Sequence, residues 1–403
     1  MKSSSHTLEG IAYALYARFA RIWRSRFFLF GLGSRMGIPN VGERIAPQAC
    51  EFASANILVI RPDVFGDVLL SIPFLLALKR RLPDARVTLA VSRPWTKFVG
   101  ALQIVDEVIE YPLDSDRWRA ASNVFRAAAF GRNVLKKRKF DVVLNPRWDA
   151  DFHDAHLVAF FSHAPHRITF FEKATSWKTA ANRGRDVFYT HIVEDTGVRH
   201  ESARSLYFLQ ALGLGPSALD AEADLVSIRN KVQPMDLDAK FLEKGYPLIG
   251  VFPGVQDSVK QWLVENFIEA AKQIFVSRSV RFLVFGTEKE SSQCAQFTRE
   301  LSEFALNLSG KTGLMELAGY IRQCSAVISC DSGGAHLAGI LEVPVAVIFR
   351  HPHGGDPESQ LSPERFRPLG KDVCVLQPGV DNPLSVAPKQ VSDAILHFID
   401  RKD

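Results

Sequence analysis

The sequence predicts an α/β protein made of two parallel-sheet domains facing each other across a cleft. Three observations lead there. Short continuous apolar runs, the mark of strands buried on both faces, alternate with stretches of helical periodicity. Several of these runs end in a glycine-bearing turn that leads straight into a helix, the βα unit of a parallel sheet. The alternation weakens between about residues 215 and 245, where polar and acidic residues gather, and then restarts. At 403 residues the chain is also too long for one ordinary core.

Residues 1–52 read as a basic, amphipathic extension. The first fifty hold seven basic side chains (Lys2, Arg18, Arg21, Arg24, Arg26, Arg35, Arg44) and two acids (Glu9, Glu43), so the whole formal net charge of +5 arises there. The remaining chain is balanced, which argues against a general nucleic-acid binder. Within residues 10–30, Ala12, Tyr16, Phe19, Trp23, Phe27 and Phe30 recur at helical spacing, with Arg18, Arg21 and Arg24 on the other side. Such a helix suits the headgroup region of an anionic membrane. It equally suits docking on the protein's own surface, because amphipathicity alone does not separate the two. No run of about eighteen apolar residues exists, and the cluster Phe27-Phe28-Leu29-Phe30 is too short for a secretion signal. The five scattered cysteines have no CxxC spacing, as expected in a reducing compartment. A cytoplasmic location is expected, peripheral on the inner membrane face if the extension binds lipid.

The first domain is expected over residues 53–225, with strands at 57–60, 87–91 and 141–144 and a helix over 68–81 carrying Pro73 in its first turns. The second is expected over 245–385, with strands at 248–252, 281–285, 326–329 and 345–349 and a helix at 263–276. A last helix at about 388–399, in the terminal segment 386–403, is expected to pack back across the domain boundary. Ligands of open α/β sheets bind beyond the carboxyl ends of the strands, so the cleft between the domains is the expected site.

The most informative stretch is Ser329-Cys330-Asp331-Ser332-Gly333-Gly334-Ala335-His336. It places acid, hydroxyl and two glycines at a strand-to-helix turn, where unpaired N–H groups and the helix dipole suit a diphosphate. An N-cap with a glycine turn is the plainer reading. Three turns of similar design stand beside it. In Arg61-Pro62-Asp63-Val64-Phe65-Gly66-Asp67, the Asp67 carboxylate either caps a helix or faces the cleft as a proton acceptor. In the loop from Pro253-Gly254 to Lys260 and Trp262, Lys260 is either a surface lysine or the cation for a phosphate. In Gly286-Thr287-Glu288, the acid either caps or meets a nucleoside.

Other signals lead away from function. Gly31-Leu32-Gly33-Ser34-Arg35-Met36-Gly37 departs from the dinucleotide fingerprint and follows no strand. Gly310-Lys311-Thr312 imitates the end of a P-loop, but Ala305 stands where its first glycine belongs; it reads as a loop entering a helix along the cleft. His153, His156, His163 and His166 lie within fourteen residues beside Asp149, Asp151 and Asp154. No metal-binding spacing accompanies them, so no metal site is assigned. The basic run of residues 117–139 reads as a solvated helix face in preference to an acceptor-binding one.

Taken in order, these motifs resemble glycosyltransferase family nine, the ADP-heptose:lipopolysaccharide heptosyltransferases. The resemblance runs from about residue 56 to residue 380. It is anchored by residues 57–67 with Pro73, Pro253-Gly254 through Lys260 and Trp262, Phe285-Gly286-Thr287-Glu288, Leu308-Ser309-Gly310-Lys311-Thr312, and Asp331-Ser332-Gly333 with His336-Leu337-Ala338. It implies two facing Rossmann-like domains of the GT-B type, with the acceptor on the first and the nucleotide sugar on the second. It also implies Asp67 as general base, Lys260 on the donor phosphates, Asp331, Ser332, Gly333, Gly334 and His336 at the donor turn, and Glu288 at the nucleoside. Gly66, Gly254, Gly286, Lys311 and Thr312 are further candidates. The implied reaction is an inverting, metal-independent sugar transfer, without cofactor, from a nucleoside diphosphate sugar to an acidic glycolipid such as a lipopolysaccharide core. Two departures are noted: Val64-Phe65 precede the Gly-Asp pair where small hydroxyl residues are common, and Gly334 stands where proline often follows. A nucleotide-sugar-binding protein without turnover and a nicotinamide-dependent oxidoreductase are the competing readings.

Overall fold

The computed structural model describes residues 52–113, 120–194, 197–215, 220–238, 241, 245–379 and 386–401. The amphipathic segment 10–30 and the rest of the extension before Phe52 lie outside them. No helix among the described residues is long and apolar enough to cross a membrane.

The first sheet is built from β1 (Asn56–Arg61), β2 (Arg86–Val91), β3 (Glu107–Glu110), β4 (Val142–Asn145), β5 (His166–Phe170) and β6 (His191–Val193). The second has β7 (Leu248–Phe252), β8 (Arg281–Val284), β9 (Ala305–Asn307), β10 (Ala326–Cys330), β11 (Val345–Ile348) and β12 (Val373–Leu376). Their orders are β3-β2-β1-β4-β5-β6 and β12-β11-β10-β7-β8-β9, and every pair is parallel. Counted from its own first strand, each sheet has the Rossmann order, with its switch point between β1 and β4 or between β7 and β10. Seven strands match the sequence expectation to within one residue. β3, β5, β6, β9 and β12 were not foreseen.

Two local expectations change. The helix expected over 68–81 is two helices, Phe65–Leu70 and Ile72–Arg81. Pro73 opens the second, and Ser71 between them turns its N–H onto the carbonyls of Asp67 and Val68; proline has no N–H to continue the ladder. The last helix, Pro388–Asp400, packs on helix Val264–Ser277 and against β10, β11 and β12. Val391, Ile395 and Phe398 enter the core of the second lobe there. These contacts are with the second lobe, where the sequence suggested a return across the boundary.

Helix Phe65–Leu70 of the first lobe lies against helix Gly333–Ile340 of the second. Phe65, Val68 and Leu69 share one continuous core with Ala335, Leu337 and Ala338. The two sheets therefore face each other through helix-to-helix packing, with their carboxyl-terminal ends beside it.

Candidate active site

Strand β1 is buried along its length after Asn56 and delivers the Arg61–Asp67 turn to the switch point. Val64 caps nothing with its side chain. Asp67 falls in the first turn of helix Phe65–Leu70 without capping it, which removes the plainer reading. Its carboxyl is raised above the ordinary carboxylate range, first by burial and then by Glu201, against the lowering charges of Arg61, His336 and Lys260. Two of those, Lys260 and His336, belong to the other lobe. Asp67 thus lies within electrostatic reach of the donor-side residues.

On the second lobe β10 ends at Cys330, and Ser332 is the N-cap of helix Gly333–Ile340. Asp331 is 5% exposed. Its Oδ2 meets Lys260 Nζ at 2.5 Å, and its Oδ1 lies 3.6 Å from His336 Nε2. Burial works against the Asp331 charge, yet His336 and the Lys260 ammonium hold its pKa below the usual carboxylate value. Lys260 ends a short turn, Ser258–Lys260, whose N-cap Asp257 accepts the Val259 N–H at 3.0 Å. That turn keeps the ammonium over β10 instead of in solvent. The Ser332 hydroxyl pairs with Ser329 at 2.9 Å, so the backbone N–H groups at the start of the helix are left for an anion.

Because β10, β7, β8 and β9 are neighbours in that order, their following loops stand in a row along the rim. A Cβ at Gly254 would meet Glu290 at 2.7 Å, which ties the β7 loop to the β8 loop. The Gly310 N–H donates to the Gly286 carbonyl at 2.9 Å, which ties the β8 loop to the β9 loop. Glu288 is exposed on this rim. The acid that caps is Glu290, which accepts the Thr287 N–H and hydroxyl. Lys311 is exposed and turns back to the Asn307 carbonyl at 2.9 Å, with Thr312 half-buried next to it. The structure therefore makes two groups of the expected residues. Gly66, Asp67, Lys260, Asp331, Ser332, Gly333, Gly334 and His336 meet at the lobe junction; Gly254, Gly286, Glu288, Lys311 and Thr312 lie along the rim.

Both departures have a packing reason. Phe65 is buried against Trp95 and Phe98, with ring centroids 5.1 and 5.3 Å away, and faces Gly333 across the junction. Only Val64 of that pair is exposed. A Cβ at Gly334 would meet the Phe252 ring at 2.6 Å, so a proline ring there would need Phe252 to move.

Sequence reasoning missed a buried ionic network beside Asp67. Arg61 Nε is 3.2 Å from Asp63 Oδ2, and Arg147, just beyond β4, pairs with Asp63 Oδ1. Past it, Arg365 of the second lobe reaches Asp149 at 2.9 Å and Glu201 at 2.6 Å. Arg204 stacks on Trp148 with 3.3 Å to the ring centroid and pairs with Glu358 at 2.6 Å. The signal available in the sequence was position: Arg147 to Asp149 directly follow the strand that borders the first switch point.

The histidine cluster disperses. His153 precedes helix Ala155–Phe161, His156 is buried on it 3.9 Å from Asp151, His163 follows it and His166 lies on β5. Among the described residues no three His, Cys, Asp or Glu side chains are grouped to hold a metal. The basic turn Lys136–Arg138 sits at the starts of β1 and β3: Arg138 pairs with Glu107 at 2.6 Å and its carbonyl accepts from Asn56. This is the sheet edge opposite the cleft, so these cations form a solvated face away from the site.

Two Rossmann-type lobes packed through helices at the carboxyl ends of their sheets are the GT-B arrangement. Residues 127–377 match the family model of glycosyltransferase family 9 (heptosyltransferase). The chain belongs to that family and is a glycosyltransferase. It is 25% identical over 309 residues to lipopolysaccharide heptosyltransferase 2 of Salmonella typhimurium, covering 73% of this chain and 82% of that protein. In fold it is similar to E. coli heptosyltransferase WaaC, solved with ADP, at TM-score 0.67 and 18% identity over 85% of this chain and 99% of that one. It is also similar to a family 9 glycosyltransferase from Veillonella parvula, at TM-score 0.65 and 17% identity over 87% and 99% of the two chains.

Proposed function

We propose that this enzyme moves a heptose from ADP-heptose to a hydroxyl of a lipopolysaccharide-core acceptor, with inversion at the anomeric carbon. The names of its curated relatives, lipopolysaccharide heptosyltransferases and a lipopolysaccharide core heptosyltransferase, supply the sugar and the acceptor class. The observation that carries the mechanism is that the helix bearing Asp67 packs on the helix beginning after Ser332, with Gly66 against His336; burial there makes the Asp67 carboxylate more basic than usual.

Asp67 takes the proton of the acceptor hydroxyl, whose oxygen attacks the anomeric carbon as the bond to the diphosphate breaks. Lys260 leaves Asp331 for the diphosphate, and the N–H groups beginning helix Gly333–Ile340 take the rest of its growing charge. These groups supply the charge that a metal ion supplies elsewhere, so chelation leaves the rate unchanged. The acceptor is a glycolipid, and the basic segment 10–30 holds the enzyme at an anionic membrane surface.

A positioned base contributes about 10²–10⁴-fold in rate. The purified enzyme is incubated with ADP-heptose and a truncated core acceptor, and the product is weighed by mass spectrometry. Asp67→Asn is expected to lose turnover by that factor while ADP still binds. Wild-type turnover by Asp67→Asn ends the base assignment, and no heptose transfer by the wild type ends the substrate assignment.

A further inference from the structure

Asp63 has no role in the reaction just described, yet it is among the most deeply buried charged groups of the site, at 2% exposure. Its backbone is fixed from the β2 side: Trp95 Nε1 donates to the Asp63 carbonyl at 3.0 Å, and Ser92 Oγ to the Pro62 carbonyl at 2.6 Å. Its side chain points the other way, into the crevice where the connections of β1 and β4 part. There one oxygen takes Arg61 and the other Arg147. Arg61 is 4% exposed, and Arg147 Nε is further held by the Ala150 carbonyl at 2.7 Å.

The decisive detail is what Arg61 does not do. It lies close enough to Asp67 for its Nη2 to donate to the Asp67 carbonyl at 3.2 Å, but its bond goes to the main chain and not to the carboxylate. A buried guanidinium seeks a carboxylate, and two are in reach. Asp63 holds its Nε in an ion pair at 3.2 Å without a hydrogen bond, while Asp67 acts on Arg61 through space, with no ion pair or hydrogen bond to the Asp67 carboxylate oxygens.

We propose that Asp63 is a positioning residue that keeps Arg61 off the Asp67 carboxylate, so that the base stays free to take the acceptor's proton. The inference rests on the reading of Asp67 as base. Without the Asp63 charge, Arg61 turns to Asp67 and forms the direct ion pair. An opposite charge at contact lowers a carboxylate's pKa by about 1–3 units, so the base weakens and is also blocked. The other groups facing Asp67 are Glu201, His336 and Lys260; those facing Arg147 besides Arg61 and Asp63 are Asp149, Asp151 and Glu201. None of them lies on the Arg61–Asp63 turn, and all are retained in the variants below.

The test is the pH dependence of kcat for the wild type, Asp63→Asn, Arg61→Gln and the double variant. Asp63→Asn is expected to lose about tenfold or more in kcat, to keep its affinity for ADP, and to move the acid limb down by about one pH unit. Arg61→Gln is expected to move that limb up much further when combined with Asp63→Asn than when made in the wild type, because only without the Asp63 charge does Arg61 sit on Asp67. Simple addition of the two shifts, or an unmoved limb in folded Asp63→Asn, overturns the proposal. If Asp63→Asn does not fold with two stranded guanidiniums, Asp63→Asn with Arg147→Gln restores the charge balance and carries the same test, since Arg61 remains. A rate retained by Asp67→Asn would instead remove the base itself, an outcome separate from these.

Discussion

Gly66 of the first lobe lies directly under the His336 ring of the second: a Cβ at Gly66 would come within 2.7 Å of His336 Cδ2 and 3.2 Å of Nε2. The helix carrying Asp67 and the helix that begins after Ser332 are thus set against each other through one glycine. His336 is 4% exposed and lies 3.6 Å from Asp331, so its ring has little room to retreat. Gly66→Ala is expected to push the ring and part the two helices. Overpacking of this kind costs about 1–3 kcal/mol, read as a lower midpoint in denaturant unfolding. The rate of transfer should fall by more than tenfold, because base and donor move apart. A Gly66→Ala enzyme with unchanged midpoint and rate would show that the ring yields freely.

Lys260 is the exposed member of its pair, with a quarter of its side chain in solvent, while Asp331 is buried. Lys260→Met is therefore expected to weaken ADP binding at least tenfold in calorimetry, since a charge-assisted bond to phosphate is lost. It should also leave Asp331 with His336 alone. Undiminished ADP affinity in this variant would take Lys260 out of the donor site.

Arg365 joins the lobes through first-lobe carboxylates. It is 2% exposed and serves Asp149 and Glu201 together. Arg365→Met leaves Glu201 with Arg204 as its one remaining ion-pair partner among the described residues, and Asp149 with the Ala150 N–H and Gln360. Breaking a buried pair by removing one partner costs about 3–5 kcal/mol, and guanidinium unfolding should show it. Because Glu201 also acts on Asp67, the freed Glu201 charge should move the acid limb of kcat upward. A stability change under about 1 kcal/mol would mean that water reaches these carboxylates.

His156 is buried beside Asp151, and burial first, then Arg185, pushes its pKa down to about 4. In the unfolded chain it titrates near 6.5. The unfolded state therefore takes the proton first. The stability from a neutral His156 is full above about pH 6.5 and is lost as the pH falls toward 4. The Asp151 pKa is also lowered, here against the cost of burial, because His156 and Arg185 favour its charge, so its contribution fades only below the ordinary carboxylate range. Thermal unfolding of the wild type should weaken between about pH 6.5 and 4.5, and His156→Gln should flatten that slope. Parallel slopes in the two proteins would assign the acid sensitivity elsewhere, His153 being the next candidate because its pKa is also about 4.

The parts of this protein that its sequence determined are those where neighbours along the chain decide the outcome. β7 and β10 are buried at every position, so each appears as a nearly continuous apolar run with Ser329 as the one hydroxyl, and the glycine turns after them need close backbone approach. The strand-to-helix turns that carry Asp331 and Asp67 were legible for that reason. β5 begins with His166 and Arg167, which leaves only a short apolar end; β12 is an apolar run, Val373-Cys374-Val375-Leu376, but it is only half-buried at the sheet edge and no helical pattern precedes it closely, so it is passed over. Asp63 appears in the sequence as one more acid in a turn, and no motif singles out Arg365. The partner of Asp63 is Arg147, beyond the next strand of the sheet. Those of Arg365 are Asp149 and Glu201, 216 and 164 residues away in the chain. Only the sheet order, which sets β4 beside β1, and the closing of the lobes bring these charges into contact. Buried ions depend on such distant partners, because a charge leaves water only where an opposite charge already waits, and no local pattern records where that will be.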